Sequence, residues 1–380
     1  MKVPFKLFIK AVTQTGLRYA GGMKMKFIHI ADVHLGAKPD RGYPWSEDRG
    51  KDIWESFFQI AEECEKEEVD LLLIAGDLFH KQPLLRELKE VSYALGKLSK
   101  TQVVLIAGNH DYISERTPYL SFVWPDNVHM LQNREMDSIY LEELNTEVYG
   151  FSFHAREIRE PLYDRITPGC GERINILLAH GGSIDNIPID KNALIRSGFD
   201  YIALGHIHKP EYLSERIAYS GSLEPMDKNE TGERGYIKGE IIKEDETSKV
   251  SSVFIPSARC QYKKLTLRVD PCITNQEIRD NIREAIAGEG KNHIYQFALH
   301  GKRARDMVFD KEGFLALGNI LEIVDNTLPD YDFTVLKEEN EDNIIGFYIK
   351  TIEEGDFSKE LGEKALYYGM EALLEAKNYK

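Results

Sequence analysis

The chain of 380 residues holds only four cysteines, Cys64, Cys170, Cys260 and Cys272, and no Cys-x-x-Cys pair. That scatter excludes a zinc ribbon and a disulfide scaffold and suits a reducing cytoplasm. No apolar run approaches the roughly 20 residues of a membrane span. The N-terminal segment carries Lys2, Lys6, Lys10 and Arg18, but Lys10 interrupts its apolar stretch and no small-residue cleavage pattern follows. A secretory signal is therefore not expected, and residues 1–24 read as an N-terminal extension, with Met23 and Met25 as alternative starts. Positive charge is also scarce: 48 Lys and Arg face 63 Asp and Glu, a formal net charge of −15. Polyanion binders usually carry a basic surface, so this balance counts against nucleic acid unless bound cations reverse the field inside a cleft.

Histidine and short apolar runs are plentiful, and they coincide. The run 69–74 is unbroken and of strand length, which suits a strand buried on both faces, and it ends at Gly76-Asp77. Four more runs end in the same manner. Residues 27–31 lead into Asp32-Val33-His34, and 103–107 into Gly108-Asn109-His110-Asp111. Residues 174–179 lead into His180-Gly181-Gly182, and 201–204 into Gly205-His206-Ile207-His208. Six of the eleven histidines, at 34, 80, 110, 180, 206 and 208, thus sit at or just past strand ends. In open α/β sheets that edge is where ligands collect. By contrast, His29 lies inside a strand and reads as a core residue, and His154 reads as a surface or supporting histidine.

Between the first three runs, Ile53, Phe57, Ile60 and Cys64 and then Leu84, Leu88, Val91, Leu95 and Leu98 recur at helical spacing, giving alternating strands and helices. The loop 35–48 interleaves Lys38 and Arg41 with Tyr43 and Trp45. It reads either as a surface turn or as a phosphate and base contact. Strands are expected at 148–153, 218–223, 235–242 and 250–255, the last three antiparallel and in a second sheet. Near residue 258 the pattern restarts as an α+β module. Leu265, Leu267 and Val269 give one strand, Thr274-x-x-Glu277 a capping box, Tyr295, Phe297 and Leu299 a second strand, and Tyr331, Phe333 and Val335 a third. A last helix aligns Leu366, Met370 and Leu373, either for packing on the module or for docking a partner.

Asp, His and Asn ligands without thiolates suit divalent metals such as Mn²⁺, Fe²⁺ or Zn²⁺. Seven of them are too many for one ion and suit a pair, with Asp77 as the natural bridge, an arrangement used for phosphoester hydrolysis.

The series Asp32-x-His34, Gly76-Asp77, Gly108-Asn109-His110-Asp111, His180 and Gly205-His206-x-His208 resembles the calcineurin-like metallophosphoesterases. The strings at 30–36, 76–80 and 205–208 look like the Mre11/SbcD DNA-repair exonuclease branch, and within it the bacterial YhaO-type proteins. The resemblance implies an α/β, four-layer sandwich of two mixed β-sheets flanked by helices over residues 25–258. It further implies a smaller α+β capping domain at 259–350, followed by a C-terminal helix at 351–380. It implies Asp32, His34, Asp77 and His208 around one metal and Asp77, Asn109, His180 and His206 around the other, most often Mn²⁺, with Fe²⁺, Zn²⁺ or Mg²⁺ as alternatives. His110 would then contact the phosphate and protonate or stabilise the leaving oxygen, beside a second phosphate-side histidine, His80. The partners implied are a DNA substrate, a Rad50/SbcC-like coiled-coil ATPase and a second copy of the chain. The helical segment that docks such an ATPase is expected to be short or missing. A metal-dependent DNA exonuclease is the leading expectation. A phosphodiesterase or phosphatase for small nucleotides or phosphoproteins is the alternative, and a non-catalytic metal-binding scaffold is a third reading.

Overall fold

The computed structural model describes residues 23–378, so the expected extension lies outside the described residues apart from Met23 and Lys24. Those two already belong to the first strand, where they pair with Lys243 and Ile242. The chain divides into two units, the first ending at Arg259 and the second beginning at Cys260.

In the first unit, strands β1 (Met23–Ile30), β2 (Leu71–Ala75), β3 (Gln102–Ile106) and β4 (Val128–Met130) pair in parallel. Helices α1 (Ser46–Lys66) and α2 (Leu85–Leu95) connect the first three. A second sheet follows from β5 (Asp137–Leu141), β6 (Thr146–Gly150), β7 (Ile174–His180), β8 (Tyr201–Gly205), β9 (Glu211–Ser214) and β10 (Ile217–Tyr219), with helix α3 (Lys191–Arg196) between β7 and β8. Its order is β5-β6-β7-β8-β10-β9, parallel at the centre and antiparallel at both edges. The chain then returns through β11 (Gly235–Glu244) and β12 (Thr247–Pro256), which complete the first sheet as β12-β11-β1-β2-β3-β4. This corrects the expectation that 235–242 and 250–255 join a second sheet: β11 lies antiparallel along β1. The third strand expected there shrinks to 217–219 and runs parallel to β8.

The side-chain period of two sorts each central strand between layers. Leu71, Leu73 and Ala75 of β2 face the core between the sheets, together with Ile174, Ile176 and Leu178 of β7. Leu72 and Ile74 face the opposite way, against Ile53, Phe57, Ile60 and Cys64 of α1 and Leu88, Val91 and Leu95 of α2. Each such side chain contributes roughly 1.5–3 kcal/mol through burial. Leu84, expected on the same stripe, precedes α2 and is exposed. The outer face of the second sheet packs Leu177, Ala179, Ile202 and Leu204 against Leu194 of α3 and against Phe153, Tyr163 and Ile187. The first unit is thus two mixed sheets flanked by further layers on both outer faces.

His29 crosses the inter-sheet layer, where its Nδ1 meets the Tyr201 hydroxyl at 3.1 Å. Burial, only partly opposed by the Leu204 carbonyl, lowers its pKa to about 3. Because the folded value lies below the unfolded value of about 6.5, the unfolded chain binds the proton first and stability falls with pH below that point. Linkage gives a loss of about 2 kcal/mol by pH 5 from this group. His29→Gln is expected to remove that share, so the stability gap between pH 8 and pH 5 in urea titrations should be smaller for the variant. An unchanged gap would show that His29 is not a source of the acid sensitivity.

The second unit is a parallel sheet of β13 (Tyr262–Val269), β14 (Ile294–Arg303) and β15 (Ile320–Pro329), with helices α4 (Asn275–Glu289) and α5 (Lys311–Leu315) in the crossovers. Thr274 and Glu277 form the expected capping box at the start of α4. The third strand is not at 331–335 but at 320–329. Asp332 instead caps α6 (Phe333–Glu339) by accepting from Thr334 and Val335. α6 packs with α7 (Ile344–Glu354) and α8 (Lys359–Asn378) around Tyr331, Ile349, Tyr367 and Met370. A boundary at residue 350 falls inside α7. The stripe of Leu366, Met370 and Leu373 is packed into this cluster.

Candidate metal centre

The strands β1, β2, β3, β7 and β8 all present their carboxyl ends to one place. Asp32 and His34 follow β1, Asp77 follows β2, Asn109 and His110 follow β3, His180 closes β7, and His206 and His208 follow β8. The backbone there is held in an unusual conformation: Asp32, His34, Asp77 and His206 all have positive φ, from 50° to 92°. Non-glycine residues rarely occupy that region, and clusters of them mark sites where geometry is imposed by the surroundings. Two glycines make the close approach feasible. A Cβ at Gly76, whose φ is +86°, would overlap the His180 ring, and one at Gly108 would overlap the Asp77 carboxylate.

Asp77 is common to both halves of the cluster. Its Oδ2 lies 3.5 Å from His180 Nε2 and 3.9 Å from His34 Nε2, and its Oδ1 accepts from the His110 amide at 2.8 Å. On one side, His34 Nε2 is 3.0 Å from His208 Nε2, which lies 4.0 Å from Asp32 Oδ1. On the other, Asn109 Oδ1 is 3.0 Å from both His180 Nε2 and His206 Nδ1. The structure therefore brings together all seven residues singled out as ligand candidates. His80 and His110 lie alongside, their rings stacked 5.3 Å apart and each edge-on to His34.

The electrostatics favour added positive charge. Asp32 and Asp77 are buried, and among the described residues no lysine or arginine lies within salt-bridging distance of either. Burial, despite His208 and His180, lifts the Asp32 carboxyl to about 6. At Asp77 burial pushes the same way, but the charge and hydrogen bond of His180, with His34, hold the carboxyl well below the ordinary range. Burial opposes charge at His180 too, yet Asp77 and Asp32 raise its imidazole to about 9. Three imidazoles have their outer nitrogen occupied by oxygen: His180 Nδ1 by the Ala75 carbonyl at 2.8 Å, His206 Nε2 by Ser183 Oγ at 2.9 Å and His208 Nδ1 by Glu230 at 2.7 Å. That leaves the inner nitrogens of His180 and His208 facing Asp77 and Asp32, and that of His206 facing the Asn109 amide oxygen, the arrangement typical of metal-ligating histidines. The donor set fits a pair of divalent cations.

Three supporting residues escaped the sequence reading. Ser183 follows His180 by three positions, close enough to have been noticed. Glu230 lies 22 residues after His208 in an irregular loop and gives no periodic signal. Asp111 belongs to the Gly-Asn-His-Asp string but points away from the cluster. It accepts from the Gly108 and Phe79 amides and the Tyr119 hydroxyl and so pins the loop.

Residues 25–210 match the calcineurin-like phosphoesterase family model, and this segment with its centre is a calcineurin-like metallophosphoesterase domain. Among individual proteins, the chain is 33% identical over 235 residues to the uncharacterized metallophosphoesterase YhaO of Bacillus subtilis, covering 56% of each. It is 32% identical over 221 residues to the DNA double-strand break repair protein Mre11 of Methanocaldococcus jannaschii, over 54% of this chain and 58% of the relative. For the protein of the same name from Archaeoglobus fulgidus the identity is 26% over 272 residues, or 64% and 60%. The chain spans between half and two thirds of the length of these relatives, and the matches themselves are consistent with the Mre11/SbcD-like branch.

Proposed function

We propose that this protein is a metal-dependent DNA exonuclease, able also to cut single strands internally, that serves DNA repair with Mn²⁺ as its cation. The observation that carries the reading is the stacked His80–His110 pair beside the carboxylate and imidazole cluster. In this reading Asp32, His34, Asp77 and His208 hold one cation, and Asp77, Asn109, His180 and His206 the other. Bound divalent cations of this kind supply an activated water and neutralise phosphate charge. The remaining work falls to side chains. His110 donates its Nδ1 proton to the His80 carbonyl at 3.1 Å, which leaves Nε2 to meet the substrate. His80, more exposed, offers a second imidazole to the same phosphate.

Two features favour DNA over a small phosphoester. Relatives in the same branch are named for double-strand break repair. In addition, the loop after His34 carries Tyr43, half-exposed and stacked on Trp45 with ring centroids 4.7 Å apart. Trp45 is anchored by its indole N–H to Asp40, so the pair forms a firm platform for a base. The net charge of −15 favours the alternative, a phosphodiesterase for small nucleotides or phosphoproteins.

End-labelled duplex and single-stranded DNA, digested beside bis(p-nitrophenyl) phosphate with Mn²⁺ or Mg²⁺, separates the two. Stepwise loss of nucleotides from DNA in Mn²⁺ is expected. Tyr43→Ala should raise KM for DNA roughly 5- to 150-fold, the equivalent of about 1–3 kcal/mol per stacked base, and leave the small diester unaffected. Hydrolysis of the small diester alone would overturn the DNA reading.

A further inference from the structure

Resting on the metal-dependent reading above, we propose that Glu230 is a positioning residue that fixes the orientation and proton placement of His208. The need arises from packing. The side chains of His34 and His180 are 1% and 0% exposed and their rings are held by their surroundings, whereas that of His208 is 24% exposed. An imidazole with one open side needs another restraint to keep its Nε2 aimed at Asp32 and His34.

Glu230 supplies that restraint with both oxygens. Oε1 accepts from His208 Nδ1 at 2.7 Å, and Oε2 accepts from the Met226 amide at 2.9 Å, with Arg234 Nε 3.9 Å away. A carboxylate accepts only, so Nδ1 must carry the proton and Nε2 keeps its lone pair for the cluster. The loop that carries Glu230 is itself latched. At its start the buried Glu224 pairs with Arg49 of α1 at 3.0 Å and accepts from Ser56 at 2.7 Å. Arg49 also donates to the Pro225 carbonyl at 2.7 Å. The helix that covers the first sheet thereby fixes the loop, the loop fixes Glu230, and Glu230 fixes His208. Among the described residues no comparable carboxylate reaches the outer nitrogens of His180 or His206, which meet a carbonyl and a hydroxyl instead.

The test is titration of Mn²⁺ into the metal-free full chain by calorimetry, with the visible spectrum of the Co²⁺-loaded protein as a second readout. Wild type is expected to bind two equivalents. Glu230→Ala should bind one equivalent normally and the other roughly 10- to 100-fold more weakly, the usual effect of losing such a partner, with an altered Co²⁺ spectrum. Glu230→Gln keeps an oxygen that can accept from Nδ1 and should restore most of the affinity. Wild-type affinity for both equivalents and an unchanged spectrum in Glu230→Ala would overturn the proposal. Equal weakening of both equivalents, with a lowered melting temperature that Gln does not rescue, would also overturn it and mark Glu230 as part of the fold alone. Failure of wild type to bind any Mn²⁺ would instead overturn the metal-dependent reading itself.

Discussion

Asp77→Asn is expected to slow hydrolysis of every phosphodiester at least about 10³-fold, a loss of some 4 kcal/mol of transition-state stabilisation, while the protein stays folded. Asparagine suits this test better than alanine. Asp77 has a φ of 51°, and asparagine is among the few residues that tolerate the left-handed region. Its oxygen can still accept from the His110 amide, so the loop after β3 keeps its anchor. What disappears is the negative charge between His34 and His180, and an N–H now faces their inner nitrogens where an oxygen stood. The cluster then lacks the carboxylate that lies between His34 on one side and His180 on the other. In the metal-free state the buried His180 imidazole loses the carboxylate that pairs with it, so thermal stability should fall, with Asp32 left as its remaining carboxylate neighbour. The melting temperature, Mn²⁺ uptake and rate constants on DNA and on a nitrophenyl diester check the prediction together. A folded variant that takes up two equivalents of Mn²⁺ and keeps its rate would refute the assignment of Asp77 as the shared ligand.

The centre was legible in the sequence because strand ends are. A parallel sheet forces its functional residues to follow unbroken apolar runs, and each run here ends in Asp, Asn or His. The position of Asp77 between His34 and His180 follows from β2 lying between β1 and β3 in one sheet and close to β7 of the other. Glu230 was not legible because an irregular loop has no period to read, and its place is fixed by the buried contact between Glu224 and Arg49. The errors have the same root. Tyr331, Phe333 and Val335 alternate as a strand would, but Asp332 among them is a helix cap, and its side chain satisfies two backbone amides that a ladder would otherwise have to pair. The sheet membership of β11 and β12 was missed because an antiparallel hairpin has the same alternation whichever edge it joins. Only the neighbouring β1, with its register from Met23 to His29, selects the first sheet.

His110→Ala is expected to leave Mn²⁺ binding and DNA binding intact and to lower the cleavage rate on DNA by roughly 10²- to 10⁴-fold, the range for loss of a general acid. Neighbouring residues at the end of β3 diverge, so Asn109 faces His180 and His206 while His110 turns towards His80. The contact of His110 with Asp77 is made by its backbone amide, which the alanine variant keeps. Among the described residues no carboxylate pairs with the side chain. Its Nδ1 is committed to the His80 carbonyl, so the proton handed to the leaving group would come from Nε2. A departing sugar oxygen is a poor leaving group and needs that proton, whereas nitrophenolate leaves readily without it. The defect should therefore be much smaller on the nitrophenyl diester than on DNA. If His110 served only to hold the loop or a cation, both substrates would slow equally and Mn²⁺ uptake would fall in parallel. Metal titrations and single-turnover rates on the two substrates distinguish these outcomes, and equal slowing with lost metal would remove His110 from the role of acid.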